Sequence, residues 1–356
     1  MEQRPLHASE TAFLRTDAGT PRVSVIVPCR NERAHIEACL NSIVKQNSPA
    51  GGFEIIVVDG KSDDGTRSVL ETLRNDAPNL VVLDNPERIT AAGMNVGVRA
   101  ARGEFVAILG AHTVYAPDYL DVCLGLMQKH PEADCVGGPI VHEGSSAFGQ
   151  AVALAMSHPL GIGNALHRYP AYEGYAEGAC FPLFRRRVFE RIGLYDQTLV
   201  RNQDDEFNAR LAKSGGKVYL SPGARSVYRV RETPRGLFQQ FFQYGYWRVA
   251  VLRRHRFRTS LRRFAPVLLW GVFAALAIAA WMLRGPWIAA AIALPLFYMA
   301  TFGVIGLRLA GLRKLGVAVR FPLAVGIMHA AYAFGFVWSF CVGGADARPR
   351  PAQKTE

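Results

Sequence analysis

Residues 53–66 read F-E-I-I-V-V-D-G-K-S-D-D-G-T. The first six form an apolar, largely β-branched run broken only by Glu54, as expected of a strand buried on both faces. The run stops at Asp59, and a polar, glycine-punctuated loop follows. The same form recurs on either side. Residues 23–27 (V-S-V-I-V) make a second run, stopped by Pro28, and residues 80–83 and 105–109 make two more. Between them, residues 34–46, 66–75 and 90–101 carry helical patterns. Buried strands alternating with helices predict an α/β domain with a mostly parallel central sheet covered on both faces. Ligands of such sheets bind outside the carboxyl ends of the strands. The residues that matter are therefore those just past each strand: Pro28-Cys29-Arg30-Asn31-Glu32, then Asp59 through Thr66, then Gly110-Ala111-His112-Thr113. Asp64 and Thr66 also suit capping of the next helix, whereas Asp59, at a strand end, is free to accept hydrogen bonds from a ligand.

The last third changes character. Residues 264–283, 287–307 and 321–342 contain no Asp, Glu, Lys or Arg. Each is long enough to cross a hydrocarbon core of about 30 Å as a helix. Formal net charge is +12, and much of it is local: residues 225–263 hold eleven arginines against one acid, Glu232. A basic segment directly before an apolar run fits anionic lipid headgroups and argues against nucleic acid as the partner. Arg253, Arg254, Arg256, Arg258, Arg262 and Arg263 precede the first run. Arg308, Arg313, Lys314 and Arg320 lie between the second and third, while the first gap has only Arg284. Basic loops stay cytosolic, so the α/β domain is expected in the cytosol of a multi-pass cell-membrane protein. His329 lies inside the third run, where it is either functional or a packed, hydrogen-bonded histidine. Six scattered cysteines without a C-x-x-C pair argue against a zinc site or a disulfide framework. No apolar stretch marks a signal peptide in the first 20 residues. The expected organisation is a polar tail (1–20), the α/β domain (21–235), an amphipathic basic juxtamembrane segment (236–263), three transmembrane helices (264–342) and a polar tail (343–356).

Several motifs in order then carry a resemblance. V-S-V-I-V-P-C-R-N-E (23–32), the stretch 53–66, and R-I-T-A-A-G-M-N-V-G-V-R-A-A-R-G-E-F-V-A-I-L-G-A-H-T (88–113) together resemble the family 2 glycosyltransferases of GT-A fold. G-A-C-F-P-L-F-R-R-R (178–187), R-N-Q-D-D-E-F-N-A-R-L (201–211) and Q-Y-G-Y-W-R (243–248) are similar to the ExoA-like, succinoglycan-type branch. The resemblance implies an inverting hexosyltransferase that takes a sugar, first of all glucose from UDP-glucose, from a nucleotide-diphosphate donor to a lipid-linked saccharide in exopolysaccharide or cell-surface glycan synthesis. Membrane lipids and other glycan-assembly enzymes are the further partners it implies. A polyprenyl phosphate as acceptor, or a catalytically silent membrane scaffold prompted by Gly110 and Tyr246, are the alternatives.

Residue roles carry over by motif. Pro28, Arg30 and Glu32 match the first loop, which borders the nucleotide. Asp59 matches the acid at the base, Asp64 a second loop acid, and Asn95 the stretch that follows the donor diphosphate, where a simple helix-surface role suits it equally. At the fourth strand the family has D-x-D, or D-A-H in this branch. Here Gly110-Ala111-His112 lacks the first carboxylate. Mn²⁺ or Mg²⁺ normally neutralises the leaving diphosphate. His112 is then either a ligand, for which imidazole favours Mn²⁺, a cationic donor to the diphosphate, or a structural histidine. Asp204 matches the catalytic acid of the E-D motif, with Gln203 in place of Glu and Arg210-Leu211 six residues on. The chemistry requires a carboxylate to deprotonate the attacking hydroxyl. Read without the motifs, three acids in a row (Asp204, Asp205, Glu206) would equally suit a solvated helix N-terminus. Gly178, Arg185, Asp205, Gln243 and Trp247 are expected on the acceptor side, with Trp247 either stacking on a ligand or anchoring at the membrane interface.

Overall fold

The computed structural model describes residues 19–47, 49, 51–163, 165–255 and 261–342. The two polar tails, beyond residues 19–20, lie outside this range, as do Arg256, Arg258 and the side chain of Arg262. The strands are β1 (Val23–Cys29), β2 (Phe53–Asp59), β3 (Leu80–Asp84), β4 (Phe105–Ile108), β5 (Thr113–Tyr115), β6 (Cys135–Gly138), β7 (Ile140–Glu143), β8 (Gly174–Ala176), β9 (Cys180–Arg185), β10 (Val218–Leu220) and β11 (Ser226–Arg229). The first helices are α1 (Ile36–Val44), α2 (Thr66–Asp76), α3 (Thr90–Ala100), α4 (Tyr119–Lys129), α5 (Ala147–Met156) and α6 (Pro159–Ile162). The rest are α7 (Arg187–Ile192), α8 (Gln203–Lys213), α9 (Pro234–Arg254), α10 (Ala265–Leu283), α11 (Pro286–Ala310) and α12 (Leu315–Val342).

The main sheet runs β3-β2-β1-β4-β9-β6-β10-β8, and a small sheet runs β5-β11-β7. The first four strands are parallel, and β9 enters antiparallel between β4 and β6. The two-residue period of a strand explains the continuous apolar runs. Val23, Val25 and Val27 of β1, with Ile55 and Val57 of β2, face the core under α1, α2 and α4. Ile26, Ile56 and Val58 face the opposite core under α3, α7 and α8. β1 does not stop at Pro28 but pairs with β2 through Cys29. The ladder to β4 has already ended at Ile26, so Pro28 needs no donor on that side.

Three helices are long and apolar enough to cross a membrane. In the first two, 0% and 6% of the apolar window is buried; in the third, Leu312–Val342, 44% is. That difference comes from α12 packing with α5 and α9 around Phe241, Phe321, Val325 and Met328. Glycines set the closeness of α9 to α12. A Cβ at Gly245 would lie 2.0 Å from the Tyr332 carbonyl oxygen, and one at Gly335 would lie 2.0 Å from that of Phe242. The α/β domain is thus joined to the apolar helices by direct backbone packing. His329 within α12 bonds the Tyr298 hydroxyl (2.9 Å) and the Gly161 carbonyl (3.2 Å), the packed role rather than a free one.

Candidate active site

The carboxyl edge of β1, β2 and β4 opens into a cleft of about 1030 Å³. Two loops with left-handed residues, Asn31 (φ 56°) and Lys61 (φ 56°), form one wall. They are tied together residue by residue. Asn31 Nδ2 donates to Asp63 Oδ1 (2.8 Å) and Asp63 N to Asn31 Oδ1 (3.0 Å). Glu32 N donates to Thr66 Oγ1, and Arg33 N to Asp64 Oδ2. Both loops thereby turn main chain and cations toward the cleft.

Of the residues expected to bind the donor, Pro28, Arg30, Glu32, Ala111 and His112 line the cleft. Three others do not. Asp59 is buried and spent: it accepts from the Ser62 hydroxyl (2.6 Å) and pairs with Arg67 (3.6 Å). Asp64 accepts from Thr66 N and Oγ1 and sets the start of α2. Asn95, expected beside the diphosphate or on the helix surface, is 1% exposed. Its amide is consumed by both main-chain groups of Tyr195 (2.8 and 2.9 Å), which pins α3 to the segment before α8.

The sequence reading missed three cleft cations, Lys61, Arg88 and Arg201. Arg88 follows β3 in a left-handed conformation (φ 60°). Inspecting the end of every strand, the third included, would have found it. Arg30 Nε is buried without a hydrogen-bond partner, a donor turned inward with nothing to satisfy it.

Gly110 is explained by its neighbour. A Cβ there would meet Phe181 Cε1 at 2.7 Å. Phe181 also lines the cleft, from a left-handed backbone (φ 51°). The space of a carboxylate at position 110 is therefore filled by an aromatic ring. What remains is His112, whose Nδ1 lies 3.3 Å from Glu32 Oε1. Among the described residues no group of three or more His, Cys, Asp or Glu gathers as a metal cage. One imidazole and one carboxylate fit Mn²⁺ held jointly with donor oxygens and water, and fit poorly with the oxygen octahedron Mg²⁺ demands.

The acids at the start of α8 are sorted by geometry. Asp204 lines the cleft and lacks a cation of its own. Asp205 turns away and pairs with Arg248 of α9 at 2.7 Å. Glu206 is buried against Arg210, one turn on, at 2.8 Å. Asn202, left-handed (φ 60°), starts the helix and donates to the Tyr244 carbonyl (3.0 Å), while Arg201 donates to Gln243 (3.0 Å). Two side chains thus fix α8 on α9. The close packing of protein around Asp204 and the charge of Asp205 raise the Asp204 carboxyl to about 6, against a smaller opposing pull from Arg248. The residue is open to water at the cleft mouth, so the full rise belongs to a filled cleft from which water is displaced. Burial pushes the Asp205 carboxyl up, but the charges of Arg248 and Arg263 and the Arg248 hydrogen bond together hold it below its usual range.

The remaining acceptor-side expectations divide. Gly178 makes room for the cleft residue Asn208, whose Nδ2 would lie 2.3 Å from a Cβ there. Arg185 does not reach the cleft; it donates to the carbonyls of Ala133 and Met127 (both 2.9 Å) and braces β6 and α4. Trp247 packs on Leu199, Ala250 and Val251, with Tyr246 edge-on at 5.5 Å. Arg248, the last residue of the 243–248 stretch, is the one that meets the acids.

Moving a sugar off a nucleotide diphosphate requires cations against the leaving group and a carboxylate against the incoming hydroxyl. Both stand in one cleft of a sheet with mostly parallel order, and the protein is a glycosyltransferase. Comparison with known proteins agrees. Residues 24–193 match the family described as Glycosyl transferase family 2. The chain is 33% identical over 264 residues to the succinoglycan biosynthesis protein ExoA of Rhizobium meliloti, covering 72% of this chain and 79% of that one. It belongs to glycosyl transferase family 2. It is also 28% identical over 243 residues to the dolichyl N-acetyl-α-D-glucosaminyl phosphate 3-β-D-2,3-diacetamido-2,3-dideoxy-β-D-glucuronosyltransferase of Methanococcus voltae, covering 66% and 75%. Among solved structures, a mannosyltransferase of Pyrobaculum calidifontis in complex with GDP-mannose and Mn²⁺ shares the GT-A fold (TM-score 0.57, 21% identity, 91% and 92% covered).

Proposed function

We propose that this chain is a membrane-bound, inverting hexosyltransferase acting on a lipid-linked saccharide, with Asp204 as general base. The observation that carries the reading is the isolation of Asp204. It alone of the three α8 acids lines the cleft, whose lining also holds Arg30, Lys61, Arg88 and Arg201. In a single displacement, Asp204 takes the proton of the acceptor hydroxyl as that oxygen attacks the anomeric carbon. The bond to the nucleotide diphosphate breaks on the opposite face, and an α-linked donor yields a β-linked product. Arg30, Lys61 and Arg88 stabilise the charge of the leaving group. His112 and Glu32 would hold a divalent ion, Mn²⁺ before Mg²⁺, which when bound supplies Lewis acidity toward the diphosphate.

UDP-glucose is the first donor to test, by similarity to the glucosyltransferase branch. A lipid-linked acceptor is supported by the joining of α9 to α12 and by the lipid-linked substrate named for the Methanococcus relative. The arginines of 225–263 and of the loop before α12 support a cytosolic cleft in a three-span protein of the cell membrane. Purified chain in nanodiscs, given labelled nucleotide sugars and a membrane lipid extract, is expected to release UDP or GDP and label a lipid. Failure with every donor rejects the reading.

A further inference from the structure

Beyond Asp205, on the side of α12, lie cations that do not line the donor cleft. Arg168 ends a 3-10 turn, Leu166–Arg168, between α6 and β8. Its guanidinium is enclosed by protein, yet the residue keeps some surface open to water. An enclosed cation with one open side has the form of a pocket wall. Its neighbours are uncharged: His142 Nε2 at 3.4 Å, with Tyr244, Tyr228 and Cys180 around it. Among the described residues no carboxylate comes within ion-pair distance of it. Burial, then the charge of Arg168, pushes His142 and His167 down to about 3, so both stay neutral. His142 then accepts at Nε2, and its Nδ1–H faces the Ser157 hydroxyl at 3.1 Å.

Arg248 is the second cation. Its Nη2 is used by Asp205 (2.7 Å), but Nε and Nη1 are buried with no hydrogen-bond partner among the described residues. A buried guanidinium without a counter-ion is costly, and so are unpaired buried donors. The planar arginine fork is the group that best matches phosphate oxygens.

We propose that Arg168 and Arg248 form an anion subsite for the phosphate or diphosphate headgroup of the lipid acceptor, separate from the donor diphosphate site. This rests on the glycosyl-transfer reading above. Its position favours a lipid over a free anion. Upstream of Arg168, Gly161 accepts a hydrogen bond from His329 of α12 (3.2 Å), and His158 lies edge-on to Phe321 of α12 (6.3 Å between ring centres). Tyr332 of α12 lies beside the Arg248 guanidinium. Arg248 therefore adjoins the candidate span that packs directly on the domain, and Arg168 lies by Tyr244, one turn before Arg248 on α9, at the end of a segment whose start packs on that span, while the donor cations Arg30, Lys61 and Arg88 follow the strand ends. The headgroup would enter along α12 and present its sugar to Asp204.

Binding tests this without turnover. Full-length chain in nanodiscs, with UDP or GDP at saturation to fill the donor cleft, is titrated with farnesyl diphosphate, farnesol and inorganic diphosphate. Farnesyl diphosphate is expected to bind at least about tenfold more tightly than either of the others. Arg168→Met is expected to weaken it about tenfold or more, and Arg168→Lys, which keeps the charge, distinctly less. A nucleotide-dependent rise in Tm reports that each variant is folded. Equal affinity of wild type and Arg168→Met overturns the proposal. So does simple competition between farnesyl diphosphate and the nucleotide, which would put both in one site. Inorganic diphosphate binding as tightly as farnesyl diphosphate would assign the subsite to a free anion and overturn the lipid source. Nucleotide release from donor sugars is followed in parallel; its absence counts against glycosyl transfer and leaves the binding result standing.

Discussion

Replacing Arg248 with Met removes the cation that divides the labour of two adjacent carboxylates. Arg248 Nη2 lies 2.7 Å from Asp205 Oδ2, and the two side chains are 12% and 32% exposed. The charge of Asp205 pushes the Asp204 carboxyl up and that of Arg248 pulls it down. Without Arg248 the push is opposed only by main-chain hydrogen bonds. A neighbouring opposite charge is worth about 1–3 pKa units. Because Arg248 acts on Asp204 from behind Asp205, the low end applies, about one unit or about 1.4 kcal/mol. A general base must be ionised, so activity rises as pH passes upward through its pKa, here about 6 in the native enzyme. In the variant the same limb should lie near pH 7. Turnover would fall about fivefold at pH 6 and about twofold at pH 7, and would converge with wild type above about pH 8.5 if only ionisation had changed. The half-buried pair also stabilises the fold by about 2 kcal/mol, between exposed and fully buried pairs. The assay is kcat for nucleotide release at saturating donor and lipid extract from pH 5 to 9, reading the position of the limb rather than its height. A limb that stays in place, or moves to lower pH, refutes the electrostatic account of Asp204.

Three further outcomes follow from the geometry. His112→Ala should abolish Mn²⁺ binding to the nucleotide-loaded enzyme, read by electron paramagnetic resonance of free Mn²⁺, and lower turnover about a hundredfold, the usual scale for a lost charge stabiliser; an unchanged Mn²⁺ titration would show that the ion is held elsewhere or not at all. Gly110→Asp restores a carboxylate at the family position, yet its Cβ would meet Phe181 at 2.7 Å. It should cost about 1–3 kcal/mol of stability and raise the donor KM, and a gain in metal affinity with full stability would contradict the packing argument. Gly245→Val would drive a side chain into the Tyr332 carbonyl, 2.0 Å from the built Cβ. Parting α9 from α12 should lower Tm by several degrees and reduce transfer to lipid, whereas a wild-type Tm would mean the two helices do not pack as described.

The sheet was legible because its strands are buried on both faces. A β2 strand reading F-E-I-I-V-V-D has few other places to go, and the period-2 split of Ile55 and Val57 from Ile56 and Val58 follows from that. The apolar helices were legible for the same thermodynamic reason. What sequence spacing does not encode is which partner each polar group finds. Asp59, Asp64 and Asn95 occupy positions where a donor contact is expected, but each has its hydrogen-bonding capacity used by local main chain or a neighbouring side chain. Arg185 is drawn to carbonyl oxygens behind the sheet rather than to a ligand. Conversely, the role of Arg248 depends on how α9 crosses α8, a tertiary relation that no run of residues states. Asp204 against Asp205 was separable by motif register, and the geometry supplies the physical reason: one acid has a cation and the other has the cleft.

The central claim is that the Asp204 carboxylate removes the acceptor proton. Asp204→Asn keeps the shape and takes away the base, and the measurement is transfer of labelled sugar to lipid alongside nucleotide affinity. The account predicts a kcat about 10²- to 10⁴-fold lower with donor affinity nearly unchanged. Transfer by Asp204→Asn at a rate close to that of the native chain would contradict it.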